Sequence, residues 1–216
     1  MASVALLSSE IADAIPSSNI ATSTLSRLAE ILPVKNSQWE KTLSFLKTRQ
    51  NLLEAVVFSG GEPTMHPGLP SAIQDVKSLG FKVGLHTAGI YPAKLKKILP
   101  LVDWVGMDIK APFEKYESIT LRKNSGKAAE ECARHIIQSK VDHEFRTTVH
   151  SSLLSHEDLK QIAQTLQKMG AKHYALQNFK PGGCQDTNLC QYPLDTHFDL
   201  NEMQLNHSIF ETFAVR

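Results

Sequence analysis

Cysteine is scarce in this chain. Cys132, Cys184 and Cys190 are the only three among 216 residues, too few for a disulfide framework, so a reducing, cytoplasmic setting is expected. An excess of one charge is missing too: 23 Lys and Arg stand against 22 Asp and Glu, interspersed, for a formal charge of +1. That balance offers no electrostatic footprint for nucleic acid or an anionic membrane. No apolar run approaches the roughly 20 residues that a membrane span needs. There is no internal repeat, P-loop, zinc signature or serine-hydrolase elbow.

Hydrophobic residues make up 42% of the chain, enough for one sizeable core. Two segments are expected: an atypical stretch over 1–36 and an α/β domain over 37–216. The first stretch is rich in Ser, Ala and Thr and has poor periodicity. Val4 to Leu7 reads as a short strand and Leu25 to Leu32 as a helical turn or two. Glu10, Asp13 and the near absence of Arg weigh against a transit peptide.

From Ser37 the signals sharpen. Ser37 and Glu40 form a capping box, and Trp39, Leu43, Phe45, Leu46 and Leu53 mark the buried side of a helix. Ala55-Val56-Val57-Phe58 is a short apolar run that stops at Ser59-Gly60-Gly61-Glu62-Pro63, which predicts a buried strand and a tight turn. Gly60 and Gly61 can take positive φ, and Pro63 keeps Glu62 out of the helical region. Helices are expected over 69–79, 91–99, 125–139 and 155–169, with Ser155 and Asp158 as a second box and Gly170 as the stop. Strands are expected over 81–86, 103–110, 144–150 and 172–177, loops over 113–124 and 179–196, and a last helix opened by Asp199 and Glu202. This alternation predicts a parallel sheet with right-handed crossovers, either doubly wound or a partial barrel. In both, ligands bind at the C-terminal strand edge. That edge gathers Ser59 to Glu62, His86, Thr87, Asp108, Lys110, Arg146 and Gln177.

Asp108 and Lys110 share one face of a strand, either as a structural ion pair or as part of a site. A strand-end lysine could also form a Schiff base. Arg146 has the planar fork that clamps a carboxylate. His86 is a candidate acid/base or cation ligand, or merely a hydrogen-bonded ring. Cys184, Cys190 and His197 have no standard metal spacing. Cys132 is most simply a core residue. Together these residues point to a small zwitterionic or anionic ligand and name no reaction.

Four ordered motifs add a family. Val57-Phe58-Ser59-Gly60-Gly61-Glu62-Pro63-Thr64, Gly84-Leu85-His86-Thr87-Ala88-Gly89, the stretch from Val102 to Pro112 containing Met107-Asp108-Ile109-Lys110, and Tyr174 to Pro181 resemble the radical S-adenosylmethionine enzymes. Specifically, they are similar to activating proteins of anaerobic ribonucleoside-triphosphate reductase. The resemblance spans roughly residues 37 to 190. It implies a partial (β/α)6 barrel, with the first strand and cluster loop degraded or missing in this chain. It implies that Gly60, Gly61 and Glu62 receive the amino group of S-adenosylmethionine, with Ser59 beside them among the cofactor-binding residues. Thr87, Asp108 and Lys110 would line that cofactor or a nearby cation, and Arg146 would reach its carboxylate. The implied partners are the anaerobic reductase and an electron donor such as a flavodoxin or ferredoxin.

Family members carry a CxxxCxxC loop whose thiolates bind a [4Fe-4S] cluster. Here the region before Ser37 contains no cysteine, and the serines at 17, 18, 23 and 26 are too hard as ligands to replace thiolates. The chain as written is therefore expected to be inactive in radical generation. The alternative role is a cluster-free protein that binds S-adenosylmethionine or the reductase without catalysis. A mis-started or frameshifted stretch over 1 to about 33 would explain the compositional break, and would leave the sheet edge beside Ala55 bare.

Overall fold

The computed structural model describes residues 3–5, 37–179, 189 and 210–216. Seven strands form one sheet in chain order: β1 (Ser3–Ala5), β2 (Ala55–Ser59), β3 (Lys82–Thr87), β4 (Trp104–Asp108), β5 (Asp142–Val149), β6 (His173–Asn178) and β7 (Thr212–Val215). From β2 to β7 every pairing is parallel, and this six-stranded sheet is the partial barrel. Helices α1 (Ser37–Lys47), α2 (Leu69–Ser78), α3 (Pro92–Ile98), α4 (Tyr116–Thr120), α5 (Ser125–Ser139) and α6 (His156–Met169) accompany the strands.

Strand alternation sorts the side chains onto two faces. On the outer face Val56, Phe58, Val83, Leu85, Val105, Met107, Phe145, Tyr174 and Leu176 join Ile73, Val76, Leu95, Ile136, Leu159 and Ile162 in one core. The inner face carries Val57, Ser59, Gly84, His86, Trp104, Gly106, Asp108, Glu144 and Arg146. It is mostly polar, because its upper half faces a mouth and not a helix. Trp104 fills its floor. A Cβ on Gly106 would stand 2.6 Å from Trp104 Cη2, and one on Gly84 would stand 3.4 Å from Trp104 Cε3. The indole occupies the slot at Gly106, while at Gly84 the obstacle is Val57, whose Cγ2 would stand 2.8 Å from a Cβ.

The expected α6 box is present, with Ser155 and Asp158 bonded reciprocally and Gly170 closing the helix at φ +93°. Both α1 and Trp39 sit as expected, the indole N–H donating to Asp75 at 2.9 Å, although α1 ends at Lys47 and Leu53 packs on the core from the turn beyond it. The stretch 113–124 corrects the expectation of loop. A 3-10 turn, Phe113–Lys115, runs into α4, because Tyr116 is an internal anchor at 2% exposure that the charged neighbours conceal in the sequence.

The edge beside β2 is not bare, as the missing first strand had suggested. Ser3–Ala5 lies along it antiparallel, pairing Ser3 with Ser59 and Ala5 with Val57. No parallel strand precedes β2 among the described residues. At the other edge, β7 was not foreseen. The expected turns over 25–32, the helix from Asp199 and Glu202, and Cys184, Cys190 and His197 lie outside the described residues. No helix among the described residues is long and apolar enough to cross a membrane.

Candidate functional site

The tip of β2 turns on Gly60 (φ +91°) and Gly61 (φ +56°), a conformation in which a side chain would be strained. Glu62 then returns to extended backbone and caps the 3-10 turn Pro63–Met65. Its carboxylate is buried, at 5% exposure. Oε1 accepts from Thr64 N at 3.2 Å, Thr64 Oγ1 at 2.5 Å and Thr87 Oγ1 at 2.9 Å, and Oε2 accepts from Ala88 N at 2.8 Å. Thr87 Oγ1 also reaches Oε2 at 3.0 Å and accepts from Gly89 N at 3.0 Å. Glu62 and Thr87 thus clamp the tips of β2 and β3 together, and both carboxylate oxygens are spent within the protein.

A second group lies on the inner face. Arg146 on β5 stands directly beside Asp108 on β4 in the sheet register, and its Nη2 donates to Asp108 Oδ1 at 3.0 Å. Lys110 Nζ takes the other oxygen, Oδ2, at 3.1 Å. Arg146 Nη1 meets His86 Nε2 at 3.1 Å, and His86 Nδ1 meets Ser59 Oγ at 3.3 Å. A continuous chain of contacts therefore crosses the mouth from β2 through β3 and β5 to β4. Arg146 is 6% exposed, and its Nε is buried with no hydrogen-bond partner. Two cations share one carboxylate here, so the group carries surplus positive charge.

The electrostatics follow from this packing. Burial would push the Asp108 carboxyl up, but Lys110 and Arg146 outweigh it and hold the group below the usual carboxylate range. Burial first, and the Arg146 guanidinium second, lower His86 to about 3. Tyr116 shapes the strand end from beneath: its hydroxyl accepts from Lys110 N at 2.9 Å and lies 3.4 Å from Asp108 O. Its own ionisation is pushed up, chiefly by burial.

Of the eight expected residues, Ser59, Asp108, Lys110 and Arg146 meet on the inner face and its rim. Gly60 and Gly61 form the turn beside Ser59. Glu62 and Thr87 face each other at the tips and present no free acceptor. Sequence reasoning missed the linking role of His86 and the anchor Tyr116; only the two-residue strand period, which puts His86 on the face of Gly84, signalled the first. Gln177 on β6 pairs with Thr148 on β5, on the same face, and takes no part in these contacts.

Three groups implied by the motifs can be tested against these residues. A cation beside Asp108 would find both oxygens engaged, and no set of three His, Cys, Asp or Glu is placed to hold a metal among the described residues. Among the described residues no set of thiolates is placed to hold an iron–sulfur cluster. Cys132 is fully buried in the outer core on α5, with its thiol pushed up to about 12 chiefly by burial, the reverse of a ready thiolate. Only two other cysteines exist in the chain. A zwitterionic amino acid does fit, with the unpartnered Arg146 Nε for a carboxylate and the open Gly60-Gly61 turn for an ammonium.

Comparison with known proteins agrees with this architecture. The model of the Radical SAM superfamily matches residues 33–174. A Methanocaldococcus jannaschii protein assigned by name to the glycyl-radical enzyme activating enzymes is 29% identical over 157 residues, covering 69% of this chain and 65% of the relative. An S-adenosylmethionine-dependent nucleotide dehydratase from a Thermoplasmatales archaeon is 29% identical over 118 residues, covering 50% and 42%. The chain therefore spans less than two thirds of the length of either relative. Among solved structures, a domain of pyruvate-formate lyase-activating enzyme from Bacteroides vulgatus superimposes with a TM-score of 0.56 at 13% identity, covering 76% of this chain and 99% of that domain. Streptococcus suis SuiB bound to S-adenosylmethionine gives 0.57 at 10% identity, covering 86% and 43%. These two likenesses concern the fold.

Proposed function

We propose a function from one premise: the chain belongs to the Radical SAM superfamily. On that premise the mouth binds the methionine end of S-adenosylmethionine. Arg146 takes the carboxylate at its buried, unpartnered Nε–H, and the backbone carbonyls at Gly60 and Gly61 take the ammonium. Asp108 and Lys110 hold Arg146 and line the rim, Ser59 continues the floor beside the glycines, and the Glu62–Thr87 clamp fixes the turn. When bound, S-adenosylmethionine supplies an activated sulfonium and an adenosyl group.

The partner we infer is a glycyl-radical enzyme, and more narrowly an anaerobic ribonucleoside-triphosphate reductase. The motif run from Val57 to Pro181 and the name of the Methanocaldococcus relative support it. Because the described residues offer no set of cluster thiolates, we infer that this chain binds the cofactor and the reductase without cleaving the sulfonium. An electron donor such as a flavodoxin or ferredoxin then has no acceptor here.

The observation that carries the reading is Arg146 Nε, buried and unpartnered inside a cluster with surplus positive charge. Titration calorimetry of the full chain tests it. S-adenosylmethionine should bind, and its decarboxylated analogue and the Arg146→Met variant should each weaken binding about tenfold or more, the effect of a lost charge-assisted contact. No heat with S-adenosylmethionine refutes the ligand. Formation of 5′-deoxyadenosine after anaerobic reconstitution with iron and sulfide refutes the non-catalytic role.

A further inference from the structure

We propose that His86 is a positioning residue that aims the Arg146 guanidinium at the ligand carboxylate and ties it to the tip of β2. This rests on the ligand reading above and deepens it. Asp108 alone cannot fix Arg146. A single Nη2–H···Oδ1 contact leaves the planar group free to swing about that bond, and the second oxygen of Asp108 belongs to Lys110. The missing constraint comes from another strand, where His86 Nε2 meets Nη1 at 3.1 Å. Contacts on both terminal nitrogens define the guanidinium plane and leave the buried Nε–H as its one donor without a partner.

The same contacts assign the histidine tautomer. Arg146 can only donate, so Nε2 must carry the lone pair. The ring proton is then on Nδ1 and is donated to Ser59 Oγ, one residue before the Gly60-Gly61 turn. His86 thereby spans the two ends of the proposed amino-acid site, the turn for the ammonium and the guanidinium for the carboxylate. The groups facing His86 are Ser59 from β2, Asp108 from β4 with Lys110 just beyond it, Arg146 from β5 and the Trp104 ring at 5.6 Å between centroids. Burial and the adjacent guanidinium keep the imidazole neutral far below neutral pH, which suits an acceptor and not a proton carrier.

Two substitutions separate the contacts. The amide of His86→Gln reaches where Nε2 sits and can accept from Arg146. The shorter amide of His86→Asn reaches only where Nδ1 sits, so it keeps Ser59 and loses Arg146. Calorimetry on the full chain should find that His86→Gln retains S-adenosylmethionine affinity within about threefold. His86→Asn should lose about tenfold, one charge-assisted hydrogen bond. Neither should change the affinity for decarboxylated S-adenosylmethionine. Equal weakening of both ligands, or tenfold loss in neither variant, overturns the proposal.

A second measurement needs no ligand. In ¹⁵N NMR of the free chain, His86 should show the Nδ1–H tautomer and no titration between pH 5 and 8. An Nε2–H tautomer, or a midpoint near 6.5, overturns the positioning role outright. Failure of the wild-type chain to bind S-adenosylmethionine would overturn the ligand reading, and the tautomer then decides His86 by itself.

Discussion

Replacing Glu62 with glutamine distinguishes a strand clamp from a ligand contact. The two side chains have nearly the same shape, but the amide substitutes two N–H donors for one acceptor oxygen. If the nitrogen stands where Oε2 is, it confronts Ala88 N–H; if it stands where Oε1 is, it confronts Thr64 N–H and the Thr64 hydroxyl. One buried backbone N–H is orphaned in either rotamer, at about 1–3 kcal/mol, and the remaining bonds lose their charge assistance. The total is about 2–4 kcal/mol. For a chain of this size each kcal/mol moves the melting temperature by about 2–4 °C, so Glu62→Gln should melt about 10 °C lower. Circular dichroism melts read this directly. A variant that melts within about 2 °C of the wild type, yet no longer binds S-adenosylmethionine, would refute the reasoning. Its carboxylate would then be facing the ligand.

Other perturbations address other parts of the molecule. Arg216 grips the buried Glu144 with both terminal nitrogens, at 3.2 and 3.1 Å, so Arg216→Leu strands a carboxylate and should cost about 3 kcal/mol in urea unfolding. A loss below about 0.5 kcal/mol would mean that the pair is solvated. Stability should fall on acidification below the ordinary histidine value. His86 is lowered by burial and Arg146, and His143 chiefly by burial, so the unfolded chain takes up protons that the folded one refuses. The slope reaches up to about 1.4 kcal/mol per pH unit for each histidine. Urea midpoints at pH 7, 6 and 5 check this, with a shallower slope in His86→Gln; a flat profile contradicts it. Gly106→Ala puts a Cβ 2.6 Å from Trp104 Cη2 and 3.0 Å from His86 Cδ2. It should cost about 1–3 kcal/mol and shift tryptophan emission, whereas unchanged emission and stability would mean the floor is loosely packed.

The strands that carry the site were legible because each combines an apolar run with an abrupt stop. The Ala55–Ser59 strand ends at two glycines, and Trp104–Asp108 ends before Pro112, so alternation and punctuation agreed. The residues at those strand ends could be gathered from sequence alone, but their division could not. Thr87 and His86 are adjacent, yet the pleat sends one to the Glu62 clamp and the other to Arg146. The role of Glu62 was open for the same reason: a carboxylate in a turn looks equally suited to a ligand or to neighbouring N–H groups, and only the positions of Thr64, Thr87 and Ala88 decide between them. Tyr116 sat in a run of charged residues that masked its burial. Thr212–Val215 was too short for periodicity to register, and its placement depends on β6 already being there.

The strand order has a consequence for how the molecule is made. Each parallel strand from β3 onward lies beside the one synthesised just before it. A growing chain can therefore extend the sheet from one edge, each new unit docking on a template already present, with loop closures kept short. Ser59 and Arg146 are 87 positions apart in the sequence. Their link through His86 can close as soon as β5 docks, before β6 and β7 have left the ribosome. The proposed ligand mouth is thus complete in a nascent chain whose last two strands are still missing, and a ligand bound there at that stage would bias the remaining assembly toward the native register.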